Sequence, residues 1–471
     1  MAPLRLCVTL PLFAVARGAT GEKTSQELPL TRLPHIAVLG AGAAGVAAAL
    51  RLSDQGAVPV LFERTWRAGG SVDSRPVKVG DRRVELGASD VNRRTFVRIA
   101  AMIERFGLPF RPIHASTGFF TEPGDVTYAL GRRHGVQPPE DVLSPLRRFR
   151  REAPEALHDD ALGAMTLDAW LAFRGYPEPF AKLYLRPRVA ALWSCGPDGP
   201  GAMPMWAVMR FFAMQEGLVH QGDPKAERVH LPGGFSTLID AAIAALPADS
   251  LRRGREVRVV MAGPTPQLHD GQSLVPAPDG GAWDAIVCAT QAEDAANLLD
   301  GGGATSWKRL LRAVPYQTSR VTAHLDARLL GPNPNAWGSF NVLIRPVRRK
   351  DPFTITLVGP LHQHDAEDPA RRGAVQPWFF TTANPWRPIP DTLLLRGDDN
   401  APVEQTFRHV LVDRRTAMVQ AGLRGAQGHG GLWVAGAYTE GVGLLEDAWR
   451  SGEAAADAAL SARAAHLPPA K

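Results

Sequence analysis

His35-Ile36-Ala37-Val38-Leu39-Gly40-Ala41-Gly42-Ala43-Ala44-Gly45-Val46 begins the stretch that decides the fold, which runs on through Glu63 to Gly69-Gly70. Residues 36–39 form an apolar run of strand length, and an Ala-rich helical stretch follows the glycines. A second apolar run, 58–62, ends at Glu63. Each part suits one task in holding a dinucleotide. Gly40 allows a tight turn off the strand, Gly42 lets backbone N–H groups approach a pyrophosphate, and Gly45 lets the helix lie close to the sheet. The helix N-terminus then points its partial positive charge at the phosphates. Glu63 stands where its carboxylate can accept from ribose hydroxyls. In a chain with 46 glycines a Gly-rich turn alone says little. Strand, turn, helix, strand and acid in this order indicate dinucleotide binding over a chance turn.

Composition narrows the classes. At 471 residues, 45% hydrophobic and 21% charged, the chain is globular and long enough for two domains. Net charge +6 fits an anionic partner, but no basic-aromatic platform or zinc-finger spacing points to nucleic acid. Cys7, Cys195 and Cys288 are far apart and form no CxxC pair, so neither a disulfide framework nor a metal cluster is expected. Arg5 followed by the apolar run 6–16, with Ala14-Val15-Ala16 as a small-residue cleavage site, reads as a secretory-type or organelle-targeting leader. A disordered extension or a misassigned start is the alternative. Residues 17–33 read as a polar linker.

Along the chain, 94–106 has helical spacing and ends at Gly107, and 236–246 reads as a helix after Pro232-Gly233-Gly234. The alternation at 256–260 and the run 284–289 read as strands returning to the cofactor domain, with Val257 among the cofactor-contacting residues. Residues 110–225 pass from strands to apolar helices, and 311–424 carry β-type runs such as 321–325 and 378–382 between Pro-rich loops. The expected organisation is nested: leader and linker 1–33, cofactor segments 34–110, 225–310 and 425–465, substrate segments 111–224 and 311–424. Leu146-Arg147-Arg148-Phe149-Arg150-Arg151 reads first as a solvated helix face; with a lipid substrate it is the first place to look for membrane docking.

With its acid followed by Gly69-Gly70-Ser71, this fingerprint resembles the FAD-binding oxidoreductases of the amine oxidase, phytoene desaturase and protoporphyrinogen oxidase superfamily. The far end is similar too: 432–438 looks like that superfamily's last strand, with Gly436, and Gly441 to Leu445-Glu446 like the turn into its last helix. The resemblance implies an α/β fold, a Rossmann-type FAD domain of discontinuous segments plus an α+β substrate domain, with the last helix start contacting the flavin. A narrower resemblance spans about 34–460. Its matching segments are Glu85-Leu86-Gly87-Ala88 with Asn92, Tyr184-Leu185-Arg186-Pro187 leading to Leu192-Trp193-Ser194, Arg210-Phe211-Phe212, Pro232-Gly233-Gly234, 284–290, Pro315-Tyr316-Gln317, 435–439 and 446–452. These look like the amine-oxidase-like NAD/FAD-binding proteins found beside, or fused to, cyclopropane-fatty-acyl-phospholipid synthases. That association implies a lipid acyl substrate and a lipid-modifying synthase as partner.

Three positions depart from the amine oxidases. Arg320 stands where the resemblance expects a water-holding lysine, and arginine is a poor base. Leu444 replaces an aromatic residue of the amine cage. Ala437 replaces an acid, for which Glu440 or Glu446 are the candidates to compensate. The expected substrate is therefore hydrophobic and lipid-like, and hydride passes to the flavin N5 in an oxidase or desaturase. A peroxide-releasing amine oxidase and a flavin-binding partner of a synthase stand as alternatives. Tyr316, Arg320, Tyr438 and Leu444 are the leading cavity candidates, with Tyr184, Trp193 and Phe212 behind them. His324 and His409 are acid–base candidates whose ordinary role is core packing. No catalytic base and no metal site is assigned.

Overall fold

The central layer is a parallel five-stranded sheet in the order Leu251–Arg253, Val58–Glu63, His35–Leu39, Ala285–Cys288, Leu432–Val434. The computed structural model describes residues 32–78, 82–113, 115–122, 124, 126–131, 135–193, 199–216, 227–263, 265–344, 354–363 and 377–466. The leader 6–16, Cys7, Ser194 and Cys195 lie outside them, as does all of the linker except Arg32 and Leu33. Residues 34–471 form one compact unit.

Parallel strands are buried on both faces and need a helix layer on each. His35–Leu39 meets that demand by alternation: Ile36 and Val38 face one apolar cluster, Ala37 and Leu39 the other. Helix Ala43–Asp54 lies on the first face and packs along the terminal helix Leu445–His466. The approach is close, because a Cβ on Gly452 would stand 2.0 Å from the Ala44 carbonyl oxygen. Arg51 and Asp457 bridge the same helices at 2.7 Å.

The strand near 256–260 differs from expectation. Arg258–Val260 belongs to a separate four-stranded sheet with Gln267–His269, Leu274–Val275 and Leu299–Asp300. Leu251–Arg253 takes the edge of the central sheet instead. Only three residues long and exposed at both arginines, it carries no apolar run to announce it.

A second large sheet has seven strands in the order Glu404–Val410, Tyr316–His324, Phe380–Ala383, Ile355–Val358, Phe340–Ile344, Thr117–Thr121, Thr127–Leu130. Beside it the helices between 140 and 216 bury Phe149, Trp170, Phe180 and Phe212 against one another. Tyr184 belongs here as well, tilted against Phe119 and Phe180. Tyr184 and Phe212 are therefore core residues, away from the cavity. On helix Glu140–Glu152 the arginine block turns Leu146 and Phe149 inward and pairs Arg147 with Glu140 and Arg148 with Glu152. Among the described residues no helix is long and apolar enough to cross a membrane.

Candidate cofactor and substrate cavity

A cavity of about 1060 Å³ runs from the glycine turn at 40–42 to one face of the seven-stranded sheet. At its cofactor end, Gly40 turns at φ +98° and its N–H donates to the Phe62 carbonyl at 2.8 Å. That bond ties the turn to the second strand. A Cβ on Gly42 would meet nothing closer than Gly70 Cα at 4.0 Å, so this backbone stands open to a ligand. Gly45 is required by packing, since its Cβ would fall 1.8 Å from the Gly40 carbonyl oxygen. Glu63 Oε2 accepts from the Ala41 N–H at 3.0 Å, and Oε1 accepts from the Thr65 N–H and hydroxyl at 2.9 and 2.8 Å. Three of about four lone-pair sites are thus engaged, leaving Oε2 able to accept once more. Gly69, Gly70, Ser71 and the buried Val257 line the same end.

The C-terminal segment closes over it with Gly436, Tyr438, Leu444 and Leu445. Asp447 shapes this turn: its Oδ2 accepts from the N–H groups of Val442 and Leu444 at 2.9 and 3.2 Å. Leu445 starts the terminal helix, where the first N–H groups have no intrahelical acceptor. The Tyr438 hydroxyl is buried and has no hydrogen-bond partner among the described residues, and burial pushes its pKa well above the usual tyrosine range, keeping it a neutral donor. Tyr438 and Leu444 thus come together with the glycine turn.

Other expectations are corrected. Glu446 does not line the cavity. Its carboxylate accepts from the Arg98 and Ile99 N–H groups at 3.0 and 3.2 Å and so caps helix Val97–Arg105. That helix has Phe96 at its N-cap and no cap of its own. Burial raises the Glu446 pKa against those two donors. Glu440 is paired with Arg450 at 2.6 Å and, like Glu446, is not among the residues that line the cavity. Arg320 and Tyr316 also lie outside the cavity. Alternate residues of a strand face opposite ways, and Val321 is the residue of Tyr316–His324 that lines the space. Arg320 is exposed on the other face and pairs with Glu404 at 2.5 Å. The Tyr316 hydroxyl accepts from the Ala292 N–H at 2.9 Å, capping helix Ala292–Leu298.

The far end is mostly apolar. Val321, Phe340, Ile355, Leu357 and Phe407 share the lining face of the sheet. Trp193 stands opposite, donating from Nε1 to the Val442 carbonyl at 3.2 Å and stacked in a tilt on Phe211. Among these lie a few polar groups that sequence reasoning missed. Arg228 gives Nε and Nη2 to Asp90 Oδ1 at 2.8 and 2.5 Å, and His362 Nε2 meets Asp90 Oδ2 at 3.1 Å. Burial opposes the charge on Asp90, but Arg228 and His362 outweigh it and hold the carboxyl well below the usual range. Buried Arg188 lines this end too. Asp90 sits between the quoted Glu85-Leu86-Gly87 and Asn92, so an acid within a buried segment was the available signal. His409 lines the cavity, and burial lowers it to about 4. His324 faces away, bonded to the Thr382 hydroxyl and the Asp326 N–H, and burial likewise lowers it to about 4.

Fold and cavity together define a Rossmann-type dinucleotide-binding architecture, with the glycine turn and an apolar chamber in one space. The NAD(P)-binding Rossmann-like domain family model matches residues 38–106. No curated protein matches the chain in sequence. Among solved structures, cyclohexylamine oxidase from Brevibacterium oxydans IH-35A is similar over 92% of this chain and 99% of its own, at 17% identity and TM-score 0.62. A conjugated-linoleic-acid-producing fatty acid isomerase from P. acnes is similar over 89% and 97%, at 19% identity and TM-score 0.62. A UDP-galactopyranose mutase is similar over 91% and 96%, at 15% identity and TM-score 0.62. These likenesses establish the shared fold.

Proposed function

We propose that the chain is an FAD-dependent oxidoreductase, of oxidase or desaturase type, acting on a mostly apolar, lipid-like substrate with one anionic end. The observation that carries this reading is the single cavity joining the open Gly42 backbone to the apolar face around Phe340, Ile355 and Leu357. FAD fits the residues present. Gly42 leaves room for a pyrophosphate, Glu63 keeps an acceptor site for a ribose hydroxyl, and the unpartnered Tyr438 hydroxyl has a donor to give. A flavin held there would supply hydride acceptance.

The chain's own residues do the rest. Trp193, Leu444 and Phe407 wall the chamber and exclude water. Val321, standing where a cation was expected, offers no hold for a water or an amine. Arg228 is fixed by Asp90 and lies 5.3 Å from the Phe340 ring centroid, and with Arg188 in the same lining two guanidinium groups stand at the far end beside the one Asp90 carboxylate. A fatty-acid-acting protein of the same fold accords with such a substrate.

The test is anaerobic titration of the FAD-loaded protein with oleate, its methyl ester and cyclohexylamine. Bleaching by oleate, weaker with the ester and absent with the amine, is the expected result. A protein that stays colourless in excess FAD, or a flavin reduced by the amine alone, would overturn the proposal.

A further inference from the structure

Helices Thr305–Arg312 and Arg414–Ala426 pack side by side, so closely that a Cβ on Gly422 would stand 2.8 Å from Leu310 Cδ2. Neither helix contains an acidic residue, and together they carry Lys308, Arg309, Arg312, Arg414, Arg415 and Arg424. Two of these cations are answered locally, Lys308 by Asp300 at 3.5 Å and Arg415 by Asp413 at 2.8 Å. Arg309, Arg312, Arg414 and Arg424 are exposed, and none makes an ion pair among the described residues. The outward stripe of the second helix is not polar. Ala417, Met418 and Ala421 lie along it, and Met418 is 68% exposed. Beside Met418 a groove of about 510 Å³ continues through Val314, Pro315 and Val419, with Arg312 and Arg415 also lining it.

We propose that this two-helix face docks on an anionic lipid bilayer. An apolar stripe between arginines is what an interfacial helix presents to a membrane, the side chain entering the headgroup boundary while the cations meet anionic lipid. Charge complementarity alone would suit nucleic acid equally, but an exposed methionine beside an aliphatic groove gives a phosphate backbone nothing to bind. The contrast with the arginine block on Glu140–Glu152 is direct. That helix intersperses Glu140, Asp141 and Glu152, and two of its arginines are paired with them. The docking face is therefore moved from the block singled out in the sequence to the opposed helices at 305–312 and 414–426.

Flotation of the full chain with vesicles of phosphatidylcholine, and of phosphatidylcholine with an equal share of phosphatidylglycerol, tests this. Binding is expected only to the anionic vesicles and is expected to fall with added salt. Each basic residue near such a surface strengthens binding roughly fivefold, so Arg309→Glu/Arg414→Glu should weaken it by about 25-fold or more. Met418→Ser should weaken it at unchanged salt sensitivity, while Arg147→Glu/Arg151→Glu should leave it unaltered. These are exposed positions, and an unchanged thermal midpoint confirms that each variant folds. No binding to anionic vesicles overturns the proposal, as does a double variant that binds undiminished. Tighter binding to duplex DNA than to the vesicles, or self-association through this face, overturns it as well.

Discussion

Arg320 and Val321 are neighbours in sequence and opposites in role, because strand side chains alternate between faces. The identity of the strand was legible from its β-branched run; which of two adjacent residues faces the cavity was not, since that parity is set by the sheet pairing with Glu404–Val410 and Phe380–Ala383. Arg320→Ala removes one exposed ion pair and should change stability by less than about 1 kcal/mol in urea unfolding, with flavin content unchanged. Asp90 is the reverse case. Asp90→Ala leaves the buried Arg228 guanidinium uncompensated, and the cost expected in the same assay is about 3–5 kcal/mol. Tyr438→Phe separates packing from ligand binding. Its hydroxyl has no partner among the described residues, so the apoprotein should unfold about 1 kcal/mol later or at the same point. FAD affinity, read by fluorescence quenching, should fall. A destabilised apoprotein would show that the hydroxyl serves the fold instead.

Elements in this molecule are finished by residues far away in sequence. Helix Val97–Arg105 takes its cap from Glu446, and helix Ala292–Leu298 from Tyr316, so both residues resembled site residues while acting as caps. No local pattern reveals a cap supplied from 348 residues away. The short edge strand Leu251–Arg253 was hidden for a related reason, its place being won by pairing with Val58–Glu63 alone. By contrast, the strands flanking the first helix were legible to within a residue, and the helix between them was legible as an element, because apolar runs and glycine spacing specify them locally. That helix is also where packing and cofactor binding meet. Gly452→Val would push its Cβ into the Ala44 carbonyl and separate the two helices, at a cost of about 1–3 kcal/mol. Since Ala44 lies in the first turn beside the glycine loop, flavin content after purification should fall along with the denaturation midpoint.

At the scale of the whole molecule, the central sheet draws strands from 35–63, 251–288 and 432–434, so its stability is shared by groups spread along the chain. Buried Glu85 and His324 and half-buried His409 then predict how that stability varies with pH. Burial raises Glu85 from 4.5 to about 8, against the Ser74 hydroxyl and Phe235 N–H that it accepts. Folded Glu85 therefore binds a proton that the unfolded chain releases; its contribution is full below 4.5 and is lost as pH rises through about 8. His324 and His409 have the opposite sign. Both are lowered from 6.5 to about 4, so their contribution is full above 6.5 and is lost as pH falls through about 4. Between 4.5 and 6.5 the gain from two histidines meets or exceeds the loss from Glu85 and the likewise raised Glu446; between 6.5 and 8 only carboxyls act, and stability falls. The urea midpoint should therefore peak near pH 6.5. Glu85→Gln keeps an acceptor for the Phe235 N–H and removes the titration, so its midpoint should decline less from pH 6.5 to 8 than that of the parent. Parallel decline in both proteins would mean that Glu85 is ionised in the fold, and that the turn at Pro232-Gly233-Gly234 is held by a charge.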